Sequence, residues 1–146
     1  MKIVAASLLA ICATGCMSYN VQTFGTFDSD QRTITVPAGG KSLNGKIKSM
    51  LRSEGWRLLV DQGPRVTEGQ LGEETKLQEY DSFNSRYRLE FSYHWVDISL
   101  RFQDIYSYDI SLIDNEAGAE VITLSGKGEE DVIVEKLRLA IKQNTR

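Results

Sequence analysis

From Arg86 to Trp95 apolar and polar residues alternate without a break, with Tyr87, Leu89, Phe91, Tyr93 and Trp95 set against Arg86, Arg88, Glu90, Ser92 and His94. This period of two predicts a half-buried β-strand, apolar side inward and charged side in water. Beyond Trp95 the apolar parity moves to Val96, Ile98, Leu100 and Phe102. Side chains of a regular strand alternate strictly, so only a bulge or sharp bend at Trp95-Val96 keeps both sets on one face. Tyr106, Tyr108, Ile110 and Leu112 mark the next strand. Asp114-Asn115-Glu116-Ala117-Gly118 supplies hairpin chemistry, and residues 120–125 return.

Upstream, residues 32–36 read as a strand with Ile34 and Val36 on one face, ended by Pro37-Ala38-Gly39-Gly40. Ser42 is then a plausible N-cap for a helix carrying Leu43, Ile47, Met50 and Leu51 on one stripe. Gly55 suits its C′ position, and residues 56–60 form a second strand, giving a β-α-β unit. A final helix follows Gly126-Lys127-Gly128. Glu129, Glu130 and Asp131 lie at its N-terminal end, Lys136, Arg138 and Lys142 in later turns, and Ile133, Leu137, Ala140 and Ile141 on its buried stripe. The pattern predicts an α+β domain: a mainly antiparallel sheet of about five strands with two helices packed on one face. Between the β-α-β unit and the meander, residues 65–85 read as a long excursion with one helical turn around Leu77 and Tyr80. Loops on a rigid scaffold commonly carry recognition, which makes Leu77, Gln78 and Tyr80 candidate interaction residues. Tyr106 and Tyr108 join them, because Tyr combines a rigid apolar ring with a polar tip.

The N-terminus follows a different logic. Lys2 precedes an apolar run from Ile3 to Ala13, about half the roughly 20 residues a membrane span needs, so it reads as a secretory signal. Ala13-Thr14-Gly15-Cys16 resembles the lipobox of bacterial lipoproteins, in which the Cys receives diacylglycerol before the chain is cut in front of it. The resemblance implies lipidation of Cys16 and cleavage between Gly15 and Cys16. Cys12 is excluded by bulky Ile11 at the small-residue position. The competing reading is an ordinary signal cut nearby, with Cys16 left as a thiol. In enterobacterial lipoproteins Asp after the Cys favours inner-membrane retention, and Met17 and Ser18 are not that signal. The organisation expected is a signal peptide at 1–15, a lipidated tether at 16–30 and a single domain at 31–146. The location expected is the outer membrane, facing the periplasm. Tyr19, Val21, Phe24 and Phe27 make the tether apolar enough for part of it to dock.

Composition narrows the function classes. Without Lys2, 16 Lys and Arg face 20 Asp and Glu, a mild acidity that disfavours nucleic acid and provides no polybasic lipid patch. Past Cys16 there is no further cysteine, so no intramolecular disulfide supports the fold. His94 is the single histidine and lies on the polar parity beside Ser92. A catalytic triad would need an orienting carboxylate and an oxyanion site, and an exposed strand histidine is the plainer account. One histidine and no free thiol argue against a zinc site. Asp114, Glu116 and Glu120 lack the spacing of an EF-hand and read as turn residues. Gly39-Gly40-Lys41-Ser42 sits where a P-loop would, but Thr35 stands where its first Gly belongs, so turn plus N-cap is preferred. Gly126-Lys127-Gly128 could cradle an anion at a helix start, against the repulsion of three following acids. The aromatic stripe from Tyr87 to Trp95 fits either a sheet face under helices or a pocket for a lipid or glycan. No cofactor and no metal are expected.

The segment Thr33-Ile34-Thr35-Val36-Pro37-Ala38-Gly39 through Leu43, with Gly55-Trp56-Arg57-Leu58, is similar to the start of β-α-β modules in secretin and pilus-assembly proteins. At fold level the whole pattern resembles outer-membrane lipoprotein accessory domains of cell-wall synthases and export machines. These resemblances imply a non-catalytic, membrane-anchored accessory component of an envelope assembly with an envelope protein as partner. The alternative is a ligand-binding or inhibitor lipoprotein recognising a glycan, a lipid or a foreign enzyme. A hydrolase using His94 or a carboxylate pair is the third class.

Overall fold

A computed structural model describes residues 18–61, 65–67, 77–79 and 85–146. The signal, Gly15, Cys16 and Tyr80 lie outside the described residues. The elements run β1 (Tyr19–Thr23), β2 (Thr33–Val36), α1 (Ser42–Ser53), β3 (Arg57–Val60), β4 (Arg65–Thr67), β5 (Leu77–Glu79), β6 (Tyr87–Ile98), β7 (Asp104–Asp114), β8 (Ala119–Glu129) and α2 (Glu130–Gln143).

The main sheet has six strands in the order β1-β8-β7-β6-β2-β3. It is α+β as the pattern predicts, but larger and mixed. β2 lies parallel to both β3 and β6, while β6, β7, β8 and β1 are antiparallel. The parallel pairing follows from α1, whose crossover returns β3 beside β2 in the same direction. The strand absent from the expected set of five is β1, which falls in the stretch read as tether. Its residues Tyr19, Val21 and Thr23 alternate with Asn20 and Gln22, and it pairs in register from Tyr19↔Gly126 to Thr23↔Ile122. Lys136 of α2 places its ammonium 3.4 Å from the centre of the Tyr19 ring, pinning the edge strand to the helix layer.

Gly126 is what allows β1 to close. Its φ is +151°, and a Cβ there would run into the Ser18 carbonyl oxygen and come within 2.8 Å of Tyr19 Cα. The Gly126-Lys127-Gly128 run therefore belongs to β8 and serves strand packing, not a loop before a helix as the anion-cradle reading requires.

The core lies between the sheet and the two helices, which pack side by side. α1 contributes Leu43, Ile47, Met50 and Leu51, and α2 contributes Ile133, Val134, Leu137, Ala140 and Ile141. Both stripes match their sequence periodicity. At the end where β6 begins, Phe27 is 1% exposed and meets Trp56 and Tyr87 edge-on, at 5.6 and 5.0 Å between ring centres. Phe27 also donates its amide to Asn144 and accepts from Arg146, so residues before β2 belong to the packed domain. Arg86 closes this end by pairing with Asp28 and Asp114, each at 3.2 Å.

Candidate functional site

The β6–β7 hairpin outgrows the core. Along β6 the inward stripe begins buried at Tyr87 and Leu89, is half-buried at Phe91 and Tyr93, and is 56% exposed at Trp95. The helices cover only the first part of the stripe. Its outer rings pack on one another: Phe91 stacks on Tyr93 at 5.8 Å, and Tyr93 meets Tyr106 edge-on at 5.5 Å. The shift in register falls between Trp95 and Asp97, so Val96 is the extra residue of a bulge. The parity change therefore has the physical cause the sequence implied.

Beyond the bulge the outcome differs from a continued strand. β6 ends at Ile98, and Leu100 and Phe102 lie in the turn, 97% and 93% exposed. Trp95 donates its indole N–H to Asp104 at 3.0 Å, which fixes the ring at the base of the turn. Beside this end, Phe102, Asp104 and Tyr106 form one wall of a cleft of about 420 Å3 whose other wall is Ser42, Lys46, Glu130 and Asp131. Lys46 pairs with Glu130 at 3.0 Å and Asp131 at 2.7 Å. Asp131 first and Glu130 second hold its ammonium above the usual lysine value, against a smaller desolvation effect. Ser42 donates to Glu130. Ser42 is the first residue of α1, not its N-cap, and no side chain caps α1 from Lys41.

The sequence-derived candidates fall in different places. Leu77 and Gln78 lie in β5, which pairs antiparallel with β4 as Val66↔Gln78 and Thr67↔Leu77. A short strand thus stands where a helical turn was expected at Leu77. Tyr108 is 4% exposed and belongs to the core, where burial first and Tyr19 second raise its hydroxyl above the ordinary phenol range. Tyr106 is the half-buried one of the pair and reaches the cleft. His94 stands exposed opposite Ser107, with Ser92 opposite Asp109, and its imidazole makes no hydrogen bond to the side chain of any of the three. Asp114 accepts the amides of Glu116 and Ala117 at 3.0 and 3.2 Å, and Glu120 accepts from Ser111 at 2.8 Å. Around Gly39, loop carbonyls point at α1: Asn44 donates to Ala38 at 2.7 Å and Lys48 donates to Gly39. A phosphate cradle requires amides in that place. The residues the sequence reading missed are Leu100 and Phe102. The available signal was length, because alternation carried through Phe102 makes a strand far longer than the usual five or six residues.

The described residues define a small α+β domain, two helices against a six-stranded mixed sheet with one apolar hairpin end projecting from it. No family model and no curated protein matches the chain. Among solved structures it is similar in fold to PelC from Paraburkholderia phytofirmans, solved as a dodecamer in two crystal forms. A point variant matches with a TM-score of 0.53 and 14% identity over 88% of this chain and 98% of that one. The other form matches with a TM-score of 0.50 and 12% identity over 88% of this chain and 99% of that one. At this identity the likeness is one of fold.

Proposed function

We propose that this chain is a membrane-anchored periplasmic lipoprotein acting as a non-catalytic interaction component of an envelope assembly, such as a secretion, pilus or conjugation apparatus or cell-wall machinery. Cys16 carries the lipid. The observation that carries the reading is the absence of slack behind that residue. Ser18 already accepts the amide of Lys127 at 3.0 Å, and β1 starts at Tyr19. Two residues span under about 7 Å, so the domain is held directly against the bilayer that takes the anchor. A body held this closely suits an adaptor presenting fixed surfaces to a neighbour.

Those surfaces are the outer edge of β1, whose five residues are all exposed, and the projecting hairpin. An open edge accepts a further strand through main-chain hydrogen bonds. The PelC structures of similar fold are dodecamers, which favours a repeated assembly as the setting. The ligand-binding alternative needs a concavity under the aromatic stripe. Phe27, Trp56 and Tyr87 fill the inner part of that space with edge-on ring contacts, which favours the interaction reading.

The test is the mass and fractionation of the protein from a Gram-negative host, followed by crosslinking in cells from photoreactive residues placed at Gln78 and Gln22. The reading predicts a diacylglycerol-modified Cys16, membrane fractionation lost in Cys16→Ser, and capture of one discrete envelope protein or of a second copy. An unmodified Cys16, or a smear of unrelated adducts from both positions, overturns it.

A further inference from the structure

The hairpin end is unusual for a surface turn. Such turns ordinarily carry Gly, Asn, Asp or Ser, yet the apex here is Leu100-Arg101-Phe102, with Trp95 and Ile98 more than half exposed behind it. No carboxylate occurs from Ile98 to Gln103, and Arg101 is its only charge. Phe102 holds a left-handed φ of 58°, a conformation costly for a bulky residue and cheap for Gly. Strain of this kind persists where the strained side chain is used.

Most amides of the apex are satisfied within the protein. Ser99 donates its amide to Gln103 at 2.8 Å and Phe102 donates to Ser99 at 2.9 Å. The Ser99 hydroxyl accepts the amides of Arg101 and Gln103 at 3.3 and 3.2 Å, and Asp97 accepts that of Ile98 at 2.8 Å. Every amide from 98 to 103 except that of Leu100 therefore has a protein acceptor. Few amides therefore have to give up water when the turn leaves the aqueous phase, while the carbonyls of Leu100, Arg101 and Phe102 accept no bond and stay at the level of the headgroups.

Register fixes where the apex lies. Ser18 is opposite Lys127, Lys127 is opposite Ser107, and Ser107 is opposite His94, so the chain enters the sheet at the end where the hairpin projects. From that row the two residues back to Cys16 reach under about 7 Å, while β7 extends three residues, about 10 Å, before the turn begins. Laterally β1 and β7 are two strand spacings apart, roughly 10 Å. The apex thus stands level with the anchor or beyond it.

On the reading that Cys16 carries a lipid, we infer that the β6–β7 hairpin is a second membrane contact, with Leu100 and Phe102 inserted in the leaflet that holds the acyl chains. A convex apex two apolar side chains wide buries little area on a flat protein surface, whereas a leaflet closes around it. Trp95, held by Asp104 one step behind, takes the interfacial position that Trp favours. Glu130 and Asp131 near this end are paired with Lys46, which reduces their repulsion from anionic headgroups. Two contacts fix the domain's orientation on the membrane, which one flexible anchor does not.

The two tryptophans make the test. Trp56 is 6% exposed, so Trp56→Phe leaves Trp95 as the reporter. The full-length protein, purified with its native modification, is reconstituted in phosphatidylethanolamine–phosphatidylglycerol vesicles containing a brominated acyl-chain lipid. Insertion predicts a blue-shifted, quenched Trp95, both effects being lost on Leu100→Asp with Phe102→Asp while flotation with the vesicles persists. Both positions are exposed and Asp tolerates the left-handed backbone, so circular dichroism should show an unchanged fold. Protein that floats with an unquenched Trp95 overturns the hairpin contact and leaves the anchor standing. Protein that does not float overturns the anchor; quenching by excess vesicles then still supports the hairpin contact, and its absence overturns it. If the double substitution instead converts an oligomer to monomers in sedimentation while lipid leaves Trp95 unquenched, the apex is a contact between copies and the inference fails.

Discussion

Phe27→Ala is the most direct probe of how the N-terminal segment belongs to the fold. The ring is 1% exposed, with Trp56 at 5.6 Å and Tyr87 at 5.0 Å, and its backbone is bonded to Asn144 and Arg146. Alanine keeps the backbone bonds and leaves a cavity lined by two aromatic side chains, Trp56 just before β3 and Tyr87 at the start of β6. Truncation of a fully buried Phe costs about 3–5 kcal/mol, edge-on ring contacts included. That is a large share of the roughly 5–15 kcal/mol that holds a domain together. In a domain of this size it lowers the thermal midpoint by about 10–20 °C. Urea unfolding followed by Trp56 fluorescence reads it, because the reporter ring touches the deleted one. The midpoint should fall by about 2 M with unchanged slope. Phe24→Ala, at a residue 60% exposed, is the control and should stay within about 0.5 kcal/mol. A Phe27→Ala shift below about 1 kcal/mol at unchanged slope would refute the packing of this segment against the core.

Three further outcomes follow from named contacts. Gly126→Val should force β1 away from β8, costing about 1–3 kcal/mol and removing hydrogen-exchange protection from residues 19–23; retained protection there contradicts the close approach. Phe102→Gly relieves a left-handed backbone and should raise stability by up to about 1 kcal/mol while weakening lipid quenching of Trp95; unchanged quenching counts against the apex as a lipid contact. Lys46 has its folded-state ammonium held above 10.5 by Asp131 and Glu130, so its contribution is complete below that pH and is lost as pH climbs through the raised value. Its side chain is 45% exposed, so the difference between wild type and Lys46→Met should be under about 1 kcal/mol at pH 7 and should shrink in 0.5 M salt; a difference insensitive to both salt and alkali argues against the ion pairs as its source.

Much of the fold was legible where local periodicity and burial agree. The stripes of α1 and α2, the β-α-β unit and the bulge at Val96 all follow from spacing alone. Strand order did not, because nothing local in Thr33–Val36 says that it lies between β3 and β6 and parallel to both. β1 was hidden by brevity: its alternation of Tyr19, Val21 and Thr23 is real, but all five residues are exposed and the strand depends on Gly126 for its place. Tyr106 and Tyr108 share residue type and parity, yet one reaches the cleft and the other is covered. The hairpin end was hidden for a related reason: Leu100 and Phe102 keep the strand's parity after the strand has stopped, and only the backbone reveals a turn.

The way β1 is mounted also sets how the domain bears load. A pull arriving through Ser18 enters along the strand axis, and the opposing chain, β8, runs antiparallel to it. Force in that direction shears the rungs from Tyr19 to Thr23 together and does not peel them one at a time. Shared loading makes a short strand hard to detach, while a pull perpendicular to the sheet would open it rung by rung. The edge strand is therefore a directional clamp, strongest against a load applied along the strands.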